Sequence, residues 1–176
     1  MDLDQYHLAL DFLDAINGGQ QQLTLPDGSS LDVNIPAGIR NGQALRLRGK
    51  GRPGLNGGPA GDALIEIEVR PHAVFKRKGY DIHVELPIPL ADAVLGGRIS
   101  VPTPTGPVTM RVPKWSNTGT VLRLKGKGVP RSDHTRGDEY VALKVTLPDK
   151  PDPELERLIA QWRSANTAYS HASVEA

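Results

Sequence analysis

The chain has 176 residues, a net charge of +1 and no cysteine, which excludes disulfides, thiolate zinc sites and cysteine nucleophiles. Hydrophobic residues make up only 38% and aromatic residues 5%, while Gly (19) and Pro (15) approach a fifth of the chain, a composition that favours a turn-rich β protein. The near-neutral charge gives no bulk electrostatic reason to bind nucleic acid or an anionic membrane. Because no apolar run reaches ~18 residues and the N-terminus is acidic, we expect a cytoplasmic protein.

The first half of the chain predicts short strands separated by turns. Residues 11–17 are too short for a full helix and predict one helical turn, ended by Gly18 in the left-handed conformation. The Asp27-Gly28 pair predicts a hairpin. Apolar residues at every second position predict strands, each with one face on a core, at 31–35, 45–48 and 65–69.

The second half predicts the same elements in the same order. Residues 90–95 predict a helical turn ended by Gly96, and Thr105-Gly106 predicts a hairpin more weakly. Alternation predicts strands at 82–86, 108–112 and 141–145.

The two halves are copies of one unit. The segment from Ile35 to Asp62 aligns with that from Val112 to Asp138, at an offset of 77 positions that becomes 76 at the Gly-Asp pair. Residues 14–19 align with 92–97 at an offset of 78. The units span roughly 6–70 and 82–148, and two copies are too few for a solenoid. The sequence therefore predicts tandem, similarly folded β domains, here termed the first and second units.

The last segment predicts a helix of a different character. Asp152-Pro153-Glu154 is typical of a helix start, because Asp caps the end, Pro fits the first position and Glu favours the helix dipole. One apolar stripe follows, made of Leu155, Leu158, Ile159 and Trp162. This stripe has to be buried either on the second unit or against the same helix of another chain. Residues after Asn166 are expected to be disordered.

Two glycine-rich motifs are interpreted as turns. Gly49-Lys50-Gly51 and Gly126-Lys127-Gly128 lack the spacing and the Lys-Ser/Thr pair of a phosphate-binding loop. Asp62 and Asp138 occupy matching positions in both units, so we expect them to cap turns rather than to catalyse.

The remaining charged and titratable residues give no catalytic or metal constellation. His72 is expected to pack at the junction of the units, and the five histidines are not at metal-ligand spacing. We therefore expect no metal, no cofactor and no enzymatic activity. Basic residues recur in both units and are interpreted mainly as a solvated face, with a weak anionic contact as the alternative: Arg40, Arg46, Arg48, Lys50 and Arg52, then Arg123, Lys125, Lys127 and Arg131.

The motifs in combination resemble a known family. The segments Ile35-Pro36-Ala37-Gly38, Gly49-Lys50-Gly51, Gly61-Asp62 and 72–81, with their counterparts in the second unit, closely resemble the C-terminal region of DnaJ-family co-chaperones. The resemblance covers about residues 6–165 and implies an all-β fold of two tandem β-sandwich-like domains followed by a short dimerisation helix. The corresponding division is 1–74 for the first, client-binding domain, 75–149 for the second domain, and 150–176 for the dimerisation helix and a flexible tail.

The resemblance also implies a function. The chain is expected to bind exposed apolar segments of unfolded polypeptides and to hold them for a DnaK-type ATPase chaperone. The J-domain, the Gly/Phe-rich linker and the cysteine-built zinc module of the family have no counterpart in the sequence. The chain is therefore expected to be a fragment of a zinc-free member, similar to the bacterial curved-DNA-binding DnaJ paralogues. Curved-DNA or nucleoid binding is the alternative function.

Alignment with the family's peptide groove implies the site residues. The expected client-binding residues of the first unit are Tyr6, Leu8, Leu23, Leu25 and Ile65. The alternative for all five is an ordinary core position. In some relatives the groove also accepts the acidic tail of the ATPase chaperone, beside a basic position that aligns with Gln21 here. The stripe formed by Leu155, Leu158, Ile159 and Trp162 is expected to form a homodimer.

Overall fold

The chain folds as two copies of one β arrangement followed by a helix. The computed structural model describes residues 3–54 and 57–166. The elements of the first unit are β1 (Leu3–Leu10), α1 (Phe12–Asn17), β2 (Gly19–Thr24), β3 (Ser30–Ile35), β4 (Ala44–Leu47) and β5 (Asp62–Val69). Those of the second unit are β6 (Lys76–Lys78), β7 (Asp81–Pro89), α2 (Leu90–Leu95), β8 (Gly97–Val101), β9 (Val108–Val112), β10 (Val121–Leu124) and β11 (Glu139–Thr146), and α3 (Pro153–Ala165) follows.

Sheet topology confirms the duplication. In the first unit β1 runs parallel to β5, and β5 pairs antiparallel with β4. In the second unit β7 runs parallel to β11, and β11 pairs antiparallel with β10. Each unit adds an antiparallel hairpin, β2–β3 or β8–β9. All of the strands predicted from alternation are present, and the predicted all-β fold class is confirmed.

The two copies differ at one sheet edge. The short strand β6 pairs with β7 and gives the second unit the order β10-β11-β7-β6, whereas the first unit has the order β1-β5-β4. Strand β1 also begins at Leu3, earlier than the repeat predicted. Within residues 3–54 and 57–166, β1 therefore has a partner strand on one side only.

The predicted turns form as expected. The helical turns α1 and α2 end at Gly18 and Gly96, whose φ angles of 73° and 72° lie in the left-handed region. In the β2–β3 hairpin the backbone N–H of Gly28 donates to the carbonyl of Leu25 at 2.9 Å. The weaker Thr105-Gly106 signal also marks a real hairpin, since Gly106 and Thr103 exchange two backbone hydrogen bonds.

The Gly-Lys-Gly turns and the following aspartates form one repeated structural device. Asp62 accepts a hydrogen bond from the backbone N–H of Gly49 at 3.0 Å. In the second unit Asp138 accepts from the backbone N–H of Gly126 at 2.8 Å. Both carboxylates therefore close the turn that leaves the preceding strand, and the predicted structural role is confirmed.

Two hydrophobic clusters form the core, and one of them joins the units. The first cluster comprises Leu10, Ala15, Val33, Ile35, Ile39, Ile65 and Ile67. The second cluster lies mainly in the second unit but includes Phe12 and Ile16 of α1. His72 packs at this junction as predicted: its ring lies 4.8 Å from that of Phe75, and its Nδ1 accepts the backbone N–H of Val74 at 2.9 Å.

Helix α3 begins as the sequence predicts. The Asp152 side chain accepts hydrogen bonds from the backbone N–H groups of Glu154 and Leu155, and Pro153 occupies the first turn. No residue of α3 is buried. The tail predicted to be flexible, 167–176, lies outside the described residues. None of the helices within residues 3–54 and 57–166 combines the length and apolar character required to cross a bilayer.

Candidate functional site

The floor of the predicted groove is formed by two parallel strands of the first unit. Tyr6 of β1 lies opposite Ile65 of β5, and Leu8 lies opposite Ile67. Tyr6 and Leu8 are half-buried and pack against the first core cluster, whereas Ile65 is fully buried. Tyr6 and Leu8 therefore present surface, and Ile65 supports them from within the core.

The hairpin β2–β3 supplies the other two predicted residues. Leu23 lies opposite Leu31 near the tip of the hairpin, and both pack against the same core cluster as Tyr6 and Leu8. Leu25 follows in the turn, where its backbone N–H donates to the carbonyl of Ser29 at 2.8 Å. The side chain of Leu25 is half-buried.

An open cavity brings part of the predicted set together. Its volume is about 500 Å³, and both Tyr6 and Leu25 line it. Leu8, Leu23 and Ile65 are not in its lining, although they share the core cluster or strand beneath it. The remaining lining residues are Asp4, Gln5, Pro26, Asp27, Ser29, Lys50, Gly51, Arg52 and Pro53.

Two of the charged residues on the rim of this cavity, Asp4 and Arg52, are paired with each other. Asp4 accepts a hydrogen bond from the Arg52 Nε at 2.8 Å and a second from the Arg52 backbone N–H. The Ser29 hydroxyl, and then its backbone N–H, hold the pKa of the Asp27 carboxyl below its ordinary value. Polar groups therefore border the apolar side chains of Tyr6 and Leu25 in this cavity.

Strand edges lie beside the apolar surface. Within the described residues, β1 pairs only with β5 and β2 pairs only with β3. An edge strand presents unpaired backbone N–H and C=O groups, which an extended peptide can use for hydrogen bonds. The first unit thus has uncovered strand edges on the strands that carry the half-buried side chains of Tyr6 and Leu23, with Leu25 in the adjoining turn.

The second unit does not reproduce this surface. The repeat places Val101 and Thr103 at the positions of Leu23 and Leu25. Both are buried, and the Thr103 hydroxyl donates to the carbonyl of Gly106. Strand β6 covers the edge of β7, which corresponds to the uncovered edge of β1.

The apolar stripe of α3 forms a second exposed surface. Leu158, Ile159 and Trp162 are 55%, 48% and 52% exposed, and Leu155 is half-buried. Leu155 and Ile159 also line an open cavity of about 580 Å³ together with Leu90 and Leu147. The stripe is therefore only partly covered by the second unit.

Several basic residues of the predicted positive cluster are neutralised. Arg46 contacts Asp62 at 2.7 Å, Arg52 contacts Asp4, and Arg123 lies 3.9 Å from Asp138. Nucleic-acid binding depends on basic groups that are available to phosphates, so these pairs give the DNA-binding alternative no support. Within residues 3–54 and 57–166, no group of three or more His, Asp or Glu residues could hold a metal ion.

Sequence reasoning missed the two prolines of the cavity. Pro26 and Pro53 lie in loops about thirty residues apart and line the same space as Tyr6. The repeat could have indicated these prolines, because both have counterparts in the second unit, Pro104 and Pro130.

The fold and the site together define a tandem all-β protein with an apolar surface beside uncovered strand edges in its first unit. The chain belongs to the DnaJ C-terminal domain family, whose family model matches residues 5–148. Among similar proteins, Chaperone protein DnaJ of Acetivibrio thermocellus is 45% identical over 136 residues, 76% of this chain and 35% of the relative. The corresponding protein of Geobacillus thermodenitrificans is 46% identical over 133 residues, 75% of this chain and 35% of the relative.

A third relative gives the same extent of similarity. Chaperone protein DnaJ of Burkholderia mallei is 44% identical over 138 residues, which cover 77% of this chain and 36% of the relative. The chain thus spans about a third of the length of the curated relatives it matches. The resemblance inferred from the sequence motifs is confirmed.

Proposed function

We propose that this chain is the client-binding part of a co-chaperone: it binds exposed apolar segments of unfolded polypeptides and holds them for a DnaK-type ATPase chaperone. The observation that carries the proposal is the cavity lined by Tyr6 and Leu25, which lies on the same unit as the uncovered edges of β1 and β2. The membership in the DnaJ C-terminal domain family and the names of the relatives support it. On this proposal the protein acts in the bacterial cytoplasm and catalyses no reaction.

Binding to an unfolded client requires tolerance of sequence, and the first unit offers it. An extended segment adds to a strand edge through backbone hydrogen bonds, which are independent of side-chain identity. Every second side chain of that segment then faces the apolar surface formed by Tyr6, Leu23 and Leu25. A single site of this size has modest affinity, of the order of micromolar, or about −8 kcal/mol.

Dimerisation through α3 completes the proposal. The exposed stripe of Leu158, Ile159 and Trp162 would be buried against the same helix of a second chain. Burying a large apolar side chain contributes ~1.5–3 kcal/mol. Two client sites joined in one dimer raise the affinity for one long unfolded chain by about 10²–10⁴ without a new contact.

The test is suppression of aggregation of a chemically denatured model protein. We expect the parent chain to suppress aggregation and the Leu23→Ser/Leu25→Ser variant to lose this activity while remaining folded by circular dichroism. Val121→Ser is the matched control, because Val121 is an exposed apolar residue of β10 in the second unit. If the parent has no effect, or if the double variant is as active as the parent, the proposed site is wrong.

A further inference from the structure

Trp115 has a backbone conformation that glycine adopts without steric cost. Its φ angle is 63°, in the left-handed region, and within residues 3–54 and 57–166 His134 is the other non-glycine residue with a positive φ. The Trp115 side chain is 79% exposed, so burial does not offset this conformation. A large aromatic side chain held in solvent in a strained position indicates an interaction surface rather than a folding requirement.

The repeat shows what the equivalent position does in the first unit. Trp115 corresponds to Gly38, whose φ angle is 83°. Gly38 lies where the first unit contacts the second: a Cβ atom at Gly38 would lie 2.7 Å from the carbonyl oxygen of Pro130 and 3.2 Å from a methyl of Val129. The first unit therefore needs glycine because the second unit packs against this turn.

A second contact between the units follows the same equivalence. The side-chain amide of Asn17 donates to the carbonyl oxygen of Pro104 at 2.9 Å. Asn17 corresponds to Leu95, which is 67% exposed. The Trp115 backbone N–H donates to the carbonyl of Val94 at 3.3 Å, so Trp115 lies beside the end of α2. Asn17 and Gly38 form the part of the first unit that contacts the second, here termed the docking face. The equivalent residues of the second unit are Leu95 and Trp115, which are both apolar.

The surface that receives the first unit is also repeated. Its residues Pro104, Val129 and Pro130 correspond to Pro26, Arg52 and Pro53 of the first unit. These three line the open cavity of about 500 Å³ described above. One chain therefore carries an unused receiving face on its first unit and an unused docking face on its second unit.

We propose that the Leu95–Trp115 face of one copy docks on the Pro26–Pro53 cavity of a second copy, head to tail. The contact between the two units of one chain supports this proposal, because a docking face and a receiving face already meet there. The cavity of about 500 Å³ has room for an indole ring, which the closer internal contact at Gly38 does not provide. Such a heterologous contact repeats without closing and builds assemblies larger than a dimer.

Self-association of this kind uses part of the client site. Tyr6 and Leu25 line the receiving cavity, so a docked copy covers them. The contact is distinct from that of α3, because neither Leu95 nor Trp115 lines the cavity beside that helix.

The test is sedimentation velocity of the full chain over a wide concentration range, with Leu158→Asp/Ile159→Asp in every sample to remove the contact through α3. We expect concentration-dependent association and its weakening by about tenfold or more in Trp115→Gly, because Trp is a frequent hot-spot residue. The melting temperature of Trp115→Gly should equal or exceed that of the parent, since Gly38 shows that glycine suits this backbone. Val121→Ser, at another exposed apolar residue, should associate like the parent.

Complementation decides whether the contact is head to tail. Trp115→Gly lacks the docking face and Pro53→Asp lacks the receiving face, so each alone should stay monomeric and their mixture should form a heterodimer. Absence of association in the parent, association that survives Trp115→Gly, or a mixture that fails to associate would overturn the proposal. An unfolded client that binds at Trp115 while the chains remain monomeric would overturn it as well. Because no client is present in the sedimentation samples, the sedimentation outcomes are independent of the proposed client groove.

Discussion

The guanidinium group of Arg77 donates a hydrogen bond to the carbonyl oxygen of Gly38 at 2.9 Å, across the junction of the two units. The same Nη1 donates to the carbonyl of Ile39 at 3.1 Å, and Nε donates to the carbonyl of Gly79 at 2.8 Å. Burial, followed by the charge of Arg40, lowers the pKa of Arg77. Arg77 therefore anchors the turn of the first unit that packs on the second.

Replacement of Arg77 should loosen this junction. We expect Arg77→Met to lower the free energy of unfolding by about 1–3 kcal/mol, because it removes the donors of three hydrogen bonds and leaves part-buried carbonyls unpaired. Urea denaturation measures the change. Arg98→Met on the exposed face of β8 is the control and should have little effect. Equal losses in both variants would show that the junction does not depend on Arg77.

Glu139 should make stability depend on pH. It is fully buried, its carboxylate oxygens have no hydrogen-bond partner within the described residues, and burial raises its pKa to about 7. The equivalent residue of the first unit is Ala63, which is also fully buried. In the unfolded chain this carboxyl ionises near its ordinary pKa of 4.5. Between pH 4.5 and about 7 the folded state therefore keeps a proton that the unfolded state has lost. Stability therefore falls as the pH rises through this interval.

The variant Glu139→Gln tests this dependence. We expect it to raise the free energy of unfolding by about 2–3 kcal/mol on the alkaline side of the pKa, and to have no such effect below the ordinary value, where both states are protonated. Denaturant titrations at several pH values give the comparison. Glu85→Gln is the control, because Glu85 is exposed and lies 3.7 Å from Lys144. A pH profile unchanged by Glu139→Gln would contradict the assignment.

Asp62 should contribute to stability at neutral pH and lose that contribution in acid. The backbone N–H of Gly49, and then the side chain of Arg46, hold the pKa of Asp62 below its ordinary value of 3.8. The stabilisation by Asp62 is therefore complete above pH 3.8, and it disappears as the pH falls through the lower pKa that Asp62 has in the folded state. We expect Asp62→Asn to lower the melting temperature at neutral pH and to reduce its fall in acid, as measured by thermal scans. Asp32→Asn, at an exposed position of β3, should leave both unchanged.

The stripe of α3 should control the oligomeric state. In the Trp115→Gly background, which removes the proposed head-to-tail contact, we expect Leu158→Asp/Ile159→Asp to convert dimers into monomers, because both side chains are about half exposed in the single chain and would be buried in a dimer. Sedimentation equilibrium measures the state, and circular dichroism checks that the Asp152 cap still supports the helix. Arg157→Gln, off the apolar stripe, is the control. Dimers that persist when both helix substitutions and Trp115→Gly are present would show that α3 is not the contact.

The structure brings only part of the residues of the proposed client surface together. Family resemblance identified Tyr6 and Leu25, which line one cavity, and Leu8 and Leu23, which pack on the same core cluster. Alternation in β5 could not distinguish Ile65, which is fully buried, from a residue that lines a groove. The difference depends on distant segments, because β1 and β4 flank β5 in the sheet and Ile65 packs in one core cluster with Val33 and Ile35 of β3.

The sequence by itself determined the features that depend on neighbouring residues. The duplication, the hairpins, the short helical turns ended by Gly18 and Gly96, and the start of α3 at Asp152 follow from alternation, from glycine's access to positive φ, and from capping chemistry. Only the tertiary structure decided which of two equivalent positions is contacted by the other unit and which is exposed. Gly38 and Trp115 both have a positive φ angle, but the second unit packs on the first of them and leaves the second in solvent. The reason is physical: burial is set by whichever distant segment packs against a position, and a repeated local sequence cannot specify that.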